Sequence, residues 1–111
     1  MRSVQAFLKK SFSFLENGFT RKISSVNSEV GILFTNKSMT IEVMSYYAVD
    51  GKHHIDVAIE KNGVRKNILD FNELFSEVQL HGLKSKIIGK NVEEQIMIYA
   101  KFIEENITKL R

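Results

Sequence analysis

The stretch from Val30 to Glu60, VGILFTNKSMTIEVMSYYAVDGKHHIDVAIE, reads as three consecutive antiparallel strands. Successive side chains on a strand point to opposite faces, so register follows from pairing apolar positions and from turn chemistry. A two-residue Asn36-Lys37 loop pairs Phe34 with Met39, Ile32 with Ile41 and Val30 with Val43. At the second turn a two-residue Asp50-Gly51 loop sets Ile41 against Glu60. A three-residue loop, Val49-Asp50-Gly51, with Gly51 left-handed in a bulge, instead pairs Val43 with Val57 and Ile41 with Ile59. The bulged turn is the expected one.

This arrangement gives the meander two unlike faces. One carries Val30, Ile32, Phe34, Met39, Ile41, Val43, Ile55, Val57 and Ile59, with Tyr47 and His53 at its end. Burying those apolar side chains contributes roughly 15–25 kcal/mol before chain entropy is subtracted. That face must be covered. The other carries Leu33, Thr35, Thr40, Glu42, Met44, Tyr46, His54, Asp56, Ala58 and Glu60, a mixture that one-sided antiparallel sheets leave to water.

Working outward, Val4, Phe7, Leu8, Phe12 and Leu15 recur at helical spacing and predict a helix over 3–16, ended at Gly18. Phe19 to Val26 reads as an edge strand on which Arg21 and Lys22 discourage unwanted pairing. Beyond the meander, Asn62-Gly63 signals a type I′ hairpin, with Val64 to Leu69 returning so that Glu60 faces Arg65 and Val57 faces Ile68. Asp70 is expected to cap a helix over 71–80 with Phe71, Leu74, Phe75 and Val78 inward. The segment 81–90, with glycines at 82 and 89 and lysines at 84, 86 and 90, reads as a mobile basic loop. A final helix starts at Asn91 with Glu94 completing a capping box. Val92, Ile96, Tyr99, Ile103, Ile107 and Leu110 form its apolar stripe, Lys109 and Arg111 stand at its negative end, and its length is roughly 30 Å. The expected fold is α+β: a single domain over 1–111, with a four- to five-stranded antiparallel meander sheet and N-terminal and C-terminal helices packed on one face.

Composition narrows the function classes. The 111 residues include no cysteine, which removes disulfides, thiolate nucleophiles and thiolate metal sites together. No apolar run approaches the ~20 residues of a membrane span, and Lys9 and Lys10 interrupt the opening stretch that a signal peptide needs. The expected location is the cytoplasm. A formal charge of +3 falls short of a dedicated nucleic-acid binder, and the basic residues are dispersed without interleaved aromatics, so nucleic acid is not the expected partner. His53 and His54 point to opposite faces of a strand, and no HxH or HExxH spacing exists. No metal or other cofactor is expected. No serine lies in a GxSxG setting and no glycine-rich phosphate loop occurs.

The strongest constellation lies on the open face, where the bulged register sets Tyr46 opposite His54 and Met44 opposite Asp56, with Glu42 one step along. Aromatic and methionine side chains suit the core of a protein interface, and Glu42, Asp56 and Glu60 supply an acidic rim for a basic partner. The alternative is a small RNase- or esterase-like hydrolase using His54 with Asp56 or Glu42. Self-association into a homodimer through the same face is a third expectation.

The stretches Ile68-Leu69-Asp70-Phe71-Asn72-Glu73-Leu74-Phe75 and Tyr99-Ala100-Lys101-Phe102-Ile103-Glu104-Glu105-Asn106, following a short-stranded meander, resemble the small single-domain bacterial immunity-like proteins of toxin systems. The resemblance implies a non-catalytic protein that binds and blocks a toxin. The sequence reading is therefore a protein-binding module using Glu42, Met44, Tyr46, His54 and Asp56.

Overall fold

Alternation in the central strands sets the architecture. The computed structural model describes residues 2–26, 29–47 and 49–110. Five strands, β1 (Thr20–Val26), β2 (Glu29–Thr35), β3 (Met39–Tyr47), β4 (His53–Lys61) and β5 (Val64–Asn67), form one open antiparallel sheet in the order β1-β2-β3-β4-β5. This is the α+β meander expected, with β1 at one edge. All nine inward side chains from Val30 to Ile59 are buried. They join one core with Leu8 and Phe12 from the N-terminal helix and with Ile96, Tyr99 and Ile103 from the C-terminal one.

The β3–β4 register matches the bulged-turn expectation, with Val43 facing Val57, Ile41 facing Ile59 and Gly51 at φ 79°. The β2–β3 register does not. Phe34 faces Ile41, Ile32 faces Val43 and Val30 faces Ser45, a shift of two residues. The cause is Asn36, whose Oδ1 accepts the backbone N–H groups of Ser38 at 2.8 Å and Met39 at 2.9 Å, widening the turn beyond two residues. A shift of two preserves the faces, so the core is unchanged. Ser45 enters it as a fully buried polar residue.

At the last hairpin Asn62 (φ 55°) and Gly63 (φ 78°) supply the two left-handed positions, and Glu60 faces Arg65 as expected. The strand ends at Asn67 rather than Leu69, because the Asn67 side chain accepts the Leu69 N–H and starts a 3₁₀ turn over Ile68–Asp70. Ile68 therefore packs into the core without joining the ladder opposite Val57.

The helical expectations need three corrections. The helix over 3–16 divides into α1 (Arg2–Ser11) and a 3₁₀ turn over Ser13–Glu16, though Val4, Leu8, Phe12 and Leu15 are all buried and Gly18 turns the chain at φ 128°. No helix spans 71–80. The helix is α2 (Glu77–Ile87), capped by Ser76, whose hydroxyl accepts the Gln79 N–H while the Gln79 side chain accepts the Ser76 N–H. The segment read as a basic loop is thus helical through Ile87, with Lys84 and Lys86 at the negative end of its dipole. Leu80 and Leu83 bury its inner face and Val78 points to solvent, 83% exposed. Finally, α3 (Val92–Glu105) carries the expected Asn91–Glu94 capping box but breaks at Asn106 before the one-turn α4 (Ile107–Leu110). Its 14 residues span about 21 Å rather than 30. The Asn106 side chain donates to the Phe102 carbonyl and accepts from Gln79 Nε2 at 3.0 Å, tying α3 to α2. Arg111 and the side chain of Lys109 lie outside the described residues.

Denaturant unfolding separates the two placements of Val78. Val78→Ala changes stability by no more than about 0.5 kcal/mol, as for an exposed position, whereas Phe34→Ala costs about 3–5 kcal/mol. A core-sized loss at Val78 contradicts the helix at 77–87.

Candidate functional site

The helices cover one face of the sheet, and the residues singled out from sequence lie on the other. Tyr46 and His54 are direct cross-strand neighbours on β3 and β4, their rings stacked with centroids 5.8 Å apart at 23°. The Tyr46 hydroxyl donates to Asp56 Oδ2 at 3.0 Å. Met44 faces Asp56 across the ladder and lies over Gly31 of β2, where a Cβ would stand 3.6 Å from the Met44 Cγ. All four of these side chains are half-buried, so the patch is ordered by its own contacts.

Their electrostatics follow from those contacts. Burial, and then the hydrogen bond to the Asp56 carboxylate, push the Tyr46 phenol above its usual pKa. It remains protonated near neutral pH and acts toward Asp56 as a donor. Asp50, on the β3–β4 turn, accepts the Lys52 N–H at 2.9 Å, and that bond holds its carboxyl below the ordinary range. Asp50 also meets His54 Nε2 at 3.4 Å. The imidazole of His54 therefore pairs with Asp50, not with the Asp56 or Glu42 expected from sequence.

Glu42 leaves the cluster in a different direction. It forms an ion pair with Arg65 of β5, which reaches diagonally over β4. Ala58 stands opposite Glu42 on the intervening strand, and its short side chain leaves room for the guanidinium. The acidic rim expected from Glu42, Asp56 and Glu60 is thus partly neutralised, a contact that no local sequence signal announces.

A second aromatic-imidazole pair occupies the same end of the hairpin on the helical side. Tyr47 and His53 stack at 4.5 Å and 22°, and His53 Nε2 hydrogen-bonds the hydroxyl of buried Ser45. Burial is the main cause that lowers the His53 pKa, and the charge of His54 acts in the same direction. Tyr99 of α3 is buried in the core, and burial, then the fields of Asp56 and Tyr46, push its phenol up to about 12. Near neutral pH the Tyr99 phenol therefore stays protonated and the His53 imidazole neutral.

Chemically, the open face is a surface rather than a cleft. Apolar concavities sit on the helical side. One, of about 790 Å³, lies beside α2 against Leu69, Leu80 and His81, and a smaller one, of about 490 Å³, runs between α2 and α3 past Val78, Gly82, Leu83, Ile98 and Phe102. The Ser76-x-x-Gln79 box was the sequence signal for the helix that forms its wall. Among the described residues no group of three or more His, Asp or Glu side chains is placed to hold a metal ion, and no helix is long and apolar enough to cross a membrane. No family model matches the chain, and comparisons with curated proteins and with solved structures return no significant match.

The lowered His53 pKa makes acid stability testable. The unfolded imidazole titrates near 6.5 and the folded one below it, so between the two values the unfolded chain binds more protons. The contribution is complete above pH 6.5 and is lost as pH falls through the folded value. NMR titration is expected to place His53 below 6.5, and the slope of melting temperature against pH over this window is shallower in His53→Phe. A His53 titration at or above 6.5 contradicts the burial argument.

Proposed function

We propose that this protein is a non-catalytic binding module that engages a protein partner through the open sheet face, around Met44, Tyr46, His54 and Asp56. The supporting observation is that the face is uncovered while its polar groups are already engaged. Tyr46 donates to Asp56, His54 meets Asp50, and Glu42 pairs with Arg65. Side chains locked before binding lose little conformational freedom on binding, which suits an interface core of tyrosine and methionine. The same engagement argues against acid-base turnover, since the Asp56 and Glu42 carboxylates already serve Tyr46 and Arg65 and none of the clefts on the helical side includes them.

Asp50, Asp56 and Glu60 favour a basic partner. An immunity-like role, in which the protein occupies and blocks a cationic toxin in the cytoplasm, fits this chemistry and the resemblance noted from sequence. The competing reading is a hydrolase acting through His54, for which the 3.4 Å contact makes Asp50 the orienting carboxylate.

Affinity capture of the tagged protein from a native lysate, read by mass spectrometry, is expected to recover one basic partner near one to one. With that partner in hand, Tyr46→Ala weakens binding about 30-fold or more, as expected for a central aromatic anchor, with the fold intact by circular dichroism. Arg65→Ala frees the Glu42 carboxylate and tightens the same complex. A dissociation constant unchanged by Tyr46→Ala counts against this face, and turnover of an RNA or ester substrate that vanishes in His54→Ala favours the hydrolase.

A further inference from the structure

We infer that β1 is a pairing edge for a second copy of this chain, joining two five-stranded sheets antiparallel into one continuous sheet about a two-fold axis at Ile23. An exposed edge offers a row of unpaired N–H and C=O groups, and folded proteins shorten it, cover it or pair it. The far edge of this sheet is shortened, since β5 has four residues and ends where the Asn67 side chain turns the chain. β1 is not. It has seven residues, contains no proline, and pairs only with β2 on its other side. Among the described residues no turn, loop or cap hydrogen bond reaches its backbone.

Arg21 and Lys22 are the residues that would keep such an edge alone, and their placement decides the register. Ile23 is the midpoint of Thr20–Val26, so the register that pairs the whole strand sets Ile23 against Ile23 of the second copy. Arg21 then faces Ser25 and Lys22 faces Ser24, and no like charges are opposed. Arg21 also carries its own counter-charge, with Nη1 3.1 Å from Glu16 Oε2. Centring the pair on Lys22 instead sets lysine against lysine, which cross-strand pairing disfavours. Half-buried Ile23 meets its counterpart on the helix-bearing side, extending the apolar layer. A C₂ contact of this kind is isologous and closes at two copies.

The inference does not depend on the binding function proposed above. Its test is light scattering and sedimentation on the full chain across micromolar to millimolar concentration. The mass is expected to move from 12.8 kDa toward twice that value. In the register centred on Ile23, position 24 stands opposite Lys22 of the second copy, so Ser24→Asp sets a carboxylate against that lysine and tightens the dimer several-fold, twice over by symmetry. Ser24→Lys weakens it by a similar factor. A single 12.8 kDa species up to about 1 mM, a concentration at which even millimolar affinities register, overturns the inference. So does a dimer indifferent to both Ser24 substitutions, or one abolished by Tyr46→Lys, which would place the contact on the open sheet face.

Discussion

The structure depends on the pleat of β2, β3 and β4, which sends every second side chain to the same side. Nine aliphatic and aromatic residues fall on one face, and no arrangement of the chain leaves them in water at acceptable free energy. α1 and α3 are drawn over that face, and Leu8, Phe12, Ile96, Tyr99 and Ile103 complete the layer. The other face is left open by the same constraint, because the remaining helix, α2, packs beside α3 rather than across the sheet.

Two histidine–tyrosine pairs at one end of the β3–β4 hairpin show how that division sets chemistry. The pairs are adjacent in sequence and geometrically alike, yet they differ in environment. Tyr47 and His53 sit at the rim of the core, where burial lowers the imidazole pKa and Ser45 meets its nitrogen. Tyr46 and His54 sit on the open side, where the turn carboxylate Asp50 and the strand carboxylate Asp56 take up their polar atoms. The Tyr46 hydroxyl and the His54 Nε2 thus each meet a carboxylate of the same hairpin.

The sequence was most legible where a single residue's local chemistry decides the outcome. Asn62-Gly63 adopts the two left-handed angles that its composition favours, and the Asn91–Glu94 box begins α3 where it should. Legibility failed where a side chain reached a few residues along the chain to redirect it. Asn36 widened a turn, Asn67 stopped a strand, and Ser76 with Gln79 began a helix that runs on through Gly82. That glycine is tolerated because α2 is held from outside its own sequence, by Leu80 and Leu83 in the core and by Gln79 bonded to Asn106. At the candidate site the cross-strand pairing of Tyr46 with His54 and Met44 with Asp56 was readable, whereas the Glu42–Arg65 and His54–Asp50 contacts were not.

By itself the sequence determined which residues share a face, because side-chain parity survives any even shift of register, and the two-residue slip between β2 and β3 left the core intact. It also determined the tight turn at Asn62-Gly63 and the start of the last helix, where the stabilising groups are neighbours in the chain. Only the tertiary structure decided which carboxylate each cation meets, which helix lies over which strand, and that Ser45 is buried with an imidazole for a partner. Those outcomes rest on contacts between residues distant in sequence, whose energies depend on burial and mutual distance in the folded protein and have no counterpart in local pattern.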